Sequence, residues 1–170
     1  LGVLPWDGET YDTAQVIPCG RPIVREDLGE IWIYYDSCRF RSRKEDVDET
    51  HRKYFDEDLN AVCLAKLRMD GFVSLDALKK GTMLTRPFVL DRGDVYVNVE
   101  SQDGELLAEV VDADTMESLP GMSVSDCDKV KADVLRGRLT WNGKGAFACE
   151  RPVRLRFELD QAKLYAFWID

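Results

Sequence analysis

The sequence predicts an all-β chain, an antiparallel β-sandwich preceded by a smaller β unit, and three observations carry that expectation. Short runs alternate apolar and polar residues with a period of two. Turn pairs such as Asp70-Gly71, Pro120-Gly121 and Asn142-Gly143 separate those runs. The 170 residues are 45% hydrophobic and 32% charged, a globular composition with enough apolar material for one sizeable core.

Taken in order, residues 15–17, 22–25 and 30–36 form the first unit, with Ile31, Ile33 and Tyr35 opposing Trp32 and Tyr34 on the last of these strands. So short a piece is marginal alone and needs a partner edge. The stretch 42–60 is charged with mixed sign and reads as a solvated loop holding the single histidine, His51. Strands are then expected at 72–75 and 85–90. Val95, Val97 and Val99 alternate with Tyr96 and Asn98, and Gln102-Asp103-Gly104 leads into 105–111, which together read as a hairpin. Further strands are expected at 135–141, 153–159 and 163–169. In the run 153–159, Val153, Leu155, Phe157 and Leu159 alternate with Arg154, Arg156 and Glu158, so one face is wet. Residues 163–169 are apolar on both faces and read as a strand buried on both sides.

Composition also narrows the function classes. The formal charge of -9, from 32 acidic against 23 basic residues, repels a phosphate backbone, so nucleic acid is not an expected partner. No window is long and apolar enough to cross a bilayer as a helix, no membrane partner is expected, and the chain reads as soluble. It starts at Leu1 without a basic and apolar leader and is expected to lack its natural start. Cys19, Cys38, Cys63, Cys127 and Cys149 are irregularly spaced with no C-x-x-C pair, which disfavours zinc and favours free thiols packed as small hydrophobes. Asp112, Asp114, Asp126 and Asp128 are the densest acidic set and would suit a hard cation by residue type, but they read as turn carboxylates, so neither metal nor cofactor is expected. No G-x-S-x-G elbow, P-loop or G-x-G-x-x-G occurs, and His51 lies in the charged loop. Trp6, Trp32, Trp141 and Trp168, with Tyr34, Tyr35 and Tyr165, offer flat platforms for sugar rings; for Trp141 and Trp168 core packing is the preferred reading.

The string Leu64-Ala-Lys-Leu-Arg-Met-Asp-Gly-Phe-Val-Ser-Leu-Asp-Ala77, with Gly81-Thr-Met-Leu-Thr-Arg-Pro-Phe88, Gly104-Glu-Leu106, Leu119-Pro-Gly121, Ser125-Asp-Cys127, Trp141-Asn-Gly143, Arg151-Pro-Val-Arg-Leu-Arg-Phe157 and Leu164-Tyr-Ala-Phe167, is similar to the C-terminal β-sandwich of bacterial glycosyl-hydrolase-like proteins. Those proteins carry an upstream five-bladed β-propeller related to the fructan- and arabinan-cleaving glycosidases. The segments Pro5-Trp-Asp7, Gly20-Arg-Pro22 and Glu30-Ile-Trp-Ile-Tyr-Tyr35 resemble the last blade of that propeller. The propeller's catalytic carboxylates come from earlier blades, so the resemblance carries over no catalytic residue.

The resulting expectation is a jelly-roll-like sandwich over residues 61–170, a charged linker over 42–60, and a blade-like β unit over 1–41. Its implied function is that of a non-catalytic accessory portion of a carbohydrate-active protein, with Trp6, Asp7 and Tyr35 as the carbohydrate-binding residues. The competing expectation is a structural or oligomerisation module without sugar binding. The expected partners are a carbohydrate, a second copy of the chain, or the missing propeller domain.

Overall fold

The computed structural model describes residues 10–40, 44–46, 49, 50, 52, 59–145 and 147–170. Trp6, Asp7 and His51 lie outside the described residues. Among those described, there is no α-helix, one 3-10 turn at Lys44–Asp46, and an all-β, sandwich-like set of strands paired antiparallel throughout. The chain divides into two compact units, Leu1–Met69 and Asp70–Asp170.

The first unit is one sheet of β1 (Gln15–Pro18), β2 (Ile23–Arg25), β3 (Glu30–Cys38) and β4 (Asn60–Arg68). β1 and β2 lie end to end along one edge of β3, interrupted around Pro22, which has no N–H to give a ladder. β4 covers the other edge from Glu30↔Arg68 to Cys38↔Asn60. The expected sandwich boundary at residue 61 therefore falls inside β4, and the charged stretch before it connects β3 to β4. The physical reason is that β3 has a second row of backbone donors and acceptors to satisfy, and β4 satisfies it. The run Ala-Val-Cys-Leu-Ala-Lys-Leu at 61–67 lacks clean alternation, so its pattern alone does not assign it to a sheet.

The second unit is organised by one long strand. β10 (Phe147–Ile169) is the middle strand of a sheet that also contains β5 (Leu75–Leu84), β6 (Phe88–Gly93), β7 (Val95–Glu100), β8 (Glu105–Asp112) and β9 (Asp133–Arg138). β5 and β6 run along one edge of β10, and β8 and β7 along the other; Val153 pairs with both Phe88 and Asp112, and Leu164 with both Leu75 and Val99. β6 passes directly into β7, so Gly93 pairs with Phe147 at the start of β10 and Val95 with Ile169 at its end. Asp94 and Asp170 exchange both backbone hydrogen bonds, at 2.7 and 3.0 Å. Bringing both ends of the middle strand to one short stretch curls the sheet around its own apolar face.

Two expectations are corrected by this arrangement. β7 and β8 are not a hairpin: both run antiparallel to β10, and Gln102-Asp103-Gly104 is a corner between them, facing a register shift at Asp160/Ala162 in which Gln161 takes φ 45°. Nor is 163–169 buried on both faces. A second shift between Leu164 and Ala166 changes which residues point inward, so Phe167 and Ile169 oppose Val97 and Val95, while Trp168 opposes Tyr96. Phe167 remains 36% exposed. The apparent two-faced strand is two one-faced halves joined out of phase.

The core follows from the remaining alternation. Val153, Leu155, Phe157 and Leu159 pack with Val95, Val97, Val99, Leu106, Ala108, Val110 and Leu139. Trp141 is buried with them, as expected, donating its indole N–H to the Ala108 carbonyl at 2.8 Å and meeting Phe147 edge to face at 6.1 Å. Asn142 and Gly143, at φ 52° and 74°, form the tight turn that returns the chain, with Trp141 and Lys144 exchanging backbone hydrogen bonds. Trp168 differs from its expected core role: it stacks on Tyr96 at 6.0 Å, with the Arg136 guanidinium 4.4 Å from the tyrosine ring centre. All five cysteines are free thiols; Cys127 is buried, its sulfur accepts the Ala108 N–H at 3.2 Å, and desolvation pushes its pKa up.

Candidate functional site

Strand alternation sorts the first sheet into two faces. One carries Glu30, Trp32, Tyr34 and Asp36 from β3, with Lys66 and Ile23 opposite Trp32 and Val62 and Ile17 opposite Asp36. The Trp32 indole N–H donates to Glu30 Oε2 at 2.6 Å, which fixes the ring along the strand. The Arg25 guanidinium sits 4.5 Å from the Trp32 ring centre and the Lys66 ammonium 4.9 Å from it. Each such contact contributes about 0.5–1 kcal/mol at an exposed site. Asp27 holds Arg25 in place through two hydrogen bonds at 2.9 and 2.6 Å; this pairing raises the arginine pKa and lowers that of the aspartate. Tyr34, two residues along, is 41% exposed. The face thus presents two aromatic side chains in line, bordered by carboxylates and cations.

Tyr35 lies on the opposite face, across from Cys63 and Pro18. Its hydroxyl donates to Asp12 Oδ2 at 3.2 Å, and burial, followed by the nearby Asp12 charge, pushes its pKa up to about 12. It stays a protonated donor to Asp12 across the physiological range. Tyr35 is therefore not brought together with Trp32 and Tyr34. Trp6 and Asp7, its expected companions, are among the residues that the structure does not describe. The signal that finds the aromatic face is parity: Glu30, Trp32, Tyr34 and Asp36 are spaced by two, whereas Tyr35 is out of phase with them.

In the second unit, a cleft of about 270 Å³ opens at the corner, lined by Asp76, Glu100, Gln102, Asp103, Gln161 and Lys163. Glu100 there accepts from Lys163 at 3.0 Å and from the Tyr165 hydroxyl at 3.0 Å. Three of the four clustered aspartates accept hydrogen bonds from neighbouring residues. Asp112 accepts the Asp114 and Thr115 N–H groups at 3.0 and 3.1 Å. Asp126 takes the Ser123 hydroxyl at 2.6 Å and Asn142 at 3.1 Å, and Asp128 takes the Thr140 hydroxyl at 2.5 Å and the Gly143 N–H at 2.8 Å. No group of three or more His, Cys, Asp or Glu among the described residues is arranged to hold a metal ion.

These bonds lower the pKa values of Asp112, chiefly through Thr115 N–H, Asp126, chiefly through Ser123, and Asp128, chiefly through Thr140. A carboxylate whose folded pKa is lowered stabilises the fold above its unfolded value, and that contribution is lost as pH falls through the folded value. The melting temperature is therefore expected to be level near neutrality and to drop below about pH 4. An Asp126→Asn/Asp128→Asn double variant should have a lower melting temperature near neutrality and a shallower acid limb. An unchanged acid limb would place the titrating groups elsewhere.

No family model, curated protein or solved structure matches the chain.

Proposed function

We propose that the chain is a non-catalytic accessory part of a carbohydrate-active, glycoside-hydrolase-like protein and that it contacts sugar through the β3 face bearing Trp32 and Tyr34. The observation that carries this reading is the in-line aromatic pair flanked by Glu30 and Asp36. An aromatic face supplies apolar area for a sugar's C–H face, while neighbouring carboxylates accept hydroxyl hydrogen bonds. The same geometry argues for binding over hydrolysis. Glu30 and Asp36 are six residues apart on one extended strand, roughly 20 Å, whereas paired hydrolytic carboxylates stand about 5–9.5 Å apart. The blade-like role of the first sheet is supported by apolar side chains exposed on both of its faces, Val16 and Val24 on one and Ile17, Ile23 and Val62 on the other, as a sheet layered between neighbours requires. That observation also favours the second reading, a structural module without sugar binding.

Titration with fructo-, arabino- and galacto-oligosaccharides, followed by indole N–H chemical shifts, separates the two. Binding by this face predicts shifts at Trp32, and a loss of about three- to tenfold in affinity for Trp32→Ala or Tyr34→Ala. Absence of any shift at Trp32 at millimolar sugar would leave the structural module as the account.

A further inference from the structure

Exposed apolar side chains in the second unit concentrate on one edge. Phe72 is 64% exposed, Val73 76% and Leu78 89%, and Leu75 and Leu84 are exposed as well. All lie on β5 or just before it, and β5 pairs only with β10, so no strand among the described residues occupies its other edge. Alongside runs an apolar groove of about 380 Å³ lined by Val73, Leu75, Met83, Leu164 and Phe167. Exposed edges of this length invite strand addition unless something blocks or occupies them.

The order of residues along this edge identifies the occupant. Set antiparallel to itself about Leu78, the segment places Asp76 opposite Lys80 of the second copy, Leu75 opposite Gly81, Ser74 opposite Thr82, Val73 opposite Met83 and Phe72 opposite Leu84. Opposite charges meet at Asp76–Lys80, polar meets polar at Ser74–Thr82 and apolar meets apolar at Val73–Met83 and Phe72–Leu84, each twice by symmetry; beside the axis Ala77 meets Lys79, and the pairs made by residues 72–74 require that segment to extend β5. We infer that β5 is a dimerisation edge, on which two copies of the chain pair antiparallel with Leu78 on the two-fold axis. Lys79 and Lys80 and the irregular register of β5 opposite Gln161 are ordinary guards against indiscriminate pairing. In the two-fold register Lys80 meets Asp76 of the other copy, so the guard becomes a selector for one partner and one alignment. The irregularity sits at the axis, leaving the flanks to carry the ladder.

Sedimentation equilibrium over a range of concentrations tests this directly. The unaltered chain is expected to be dimeric at high concentration. Lys80→Asp, which sets two like-charge pairs across the axis, should raise the dimer dissociation constant about tenfold or more, and the Asp76→Lys/Lys80→Asp double variant should restore it. Hydrogen exchange on the unaltered chain gives a second measurement free of any folding defect: amides of Leu75–Leu84 should slow as concentration rises. A chain that stays monomeric, a Lys80→Asp variant that dimerises as the parent does, or protection that appears elsewhere would each overturn the assignment.

Discussion

Phe157→Ala is expected to lower the unfolding free energy by about 3–5 kcal/mol, the range for removing a large aromatic from a packed core. Phe157 is fully buried on the inner face of β10, opposite Met83 on one side and Ala108 on the other, and its ring lies 5.3 Å from that of Phe167. Domains of this size are stable by about 5–15 kcal/mol, so the loss is a large fraction of the total. Urea unfolding followed by tryptophan fluorescence measures it, with Glu158→Ala, on the outer face, as the comparison. A loss below about half a kcal/mol for Phe157→Ala would mean that the strand is set with its other face inward.

Gly104→Ala should cost about 3 kcal/mol or more, for a different reason. A Cβ at position 104 would lie 1.8 Å from the Asp160 carbonyl oxygen and 2.8 Å from that of Gln161, both backbone atoms at the corner where β10 shifts register. Neither can swing away as a side-chain tip would, so the corner must open. Gly121 provides the contrast: it has φ 74° with nothing within 4 Å, so Gly121→Ala meets only the backbone penalty of about 1–2 kcal/mol. Equal, small losses for both variants would show that β8 and β10 do not approach closely at this corner.

What the sequence makes legible, and what it hides, follows from the range of each signal. Alternation is local, so the inward set Val153, Leu155, Phe157 and Leu159 and the Asn142-Gly143 turn can be read directly. The register shifts at Asp160/Ala162 and Leu164/Ala166 reverse the alternation without leaving a mark in composition, because Gln161 and Tyr165 are ordinary strand-compatible residues. That is why the segment 163–169 reads as apolar on both faces. The partner of β3's second edge is equally hidden, since it is set by pairing across a long charged connection rather than by any property of residues 61–67. At the candidate site, the aromatic character of Trp32 and Tyr34 and their shared face are legible. The seating of Arg25 and Lys66 over the indole is not, because it depends on the registers of β2 and β4 against β3.

The long middle strand also sets the order in which this chain can fold as it is made. Four of the five other strands in the second unit pair with Phe147–Ile169, so while the ribosome is still adding residue 146 β7 and β9 have each other and β8 has only its bridges to Ser118 and Val130. Valines 95, 97 and 99 have β9 on one side by then, but their β10 partners, Ile169, Phe167 and Leu164, come 74, 70 and 65 residues after them. The first sheet is under no such delay, since all of its described strands have been made once Arg68 has emerged. Distant pairings of this kind are slow to form and leave apolar segments open in the interval. Arrest of translation before β10 should therefore yield a nascent chain whose first sheet is protease-resistant and whose remainder is held by chaperones.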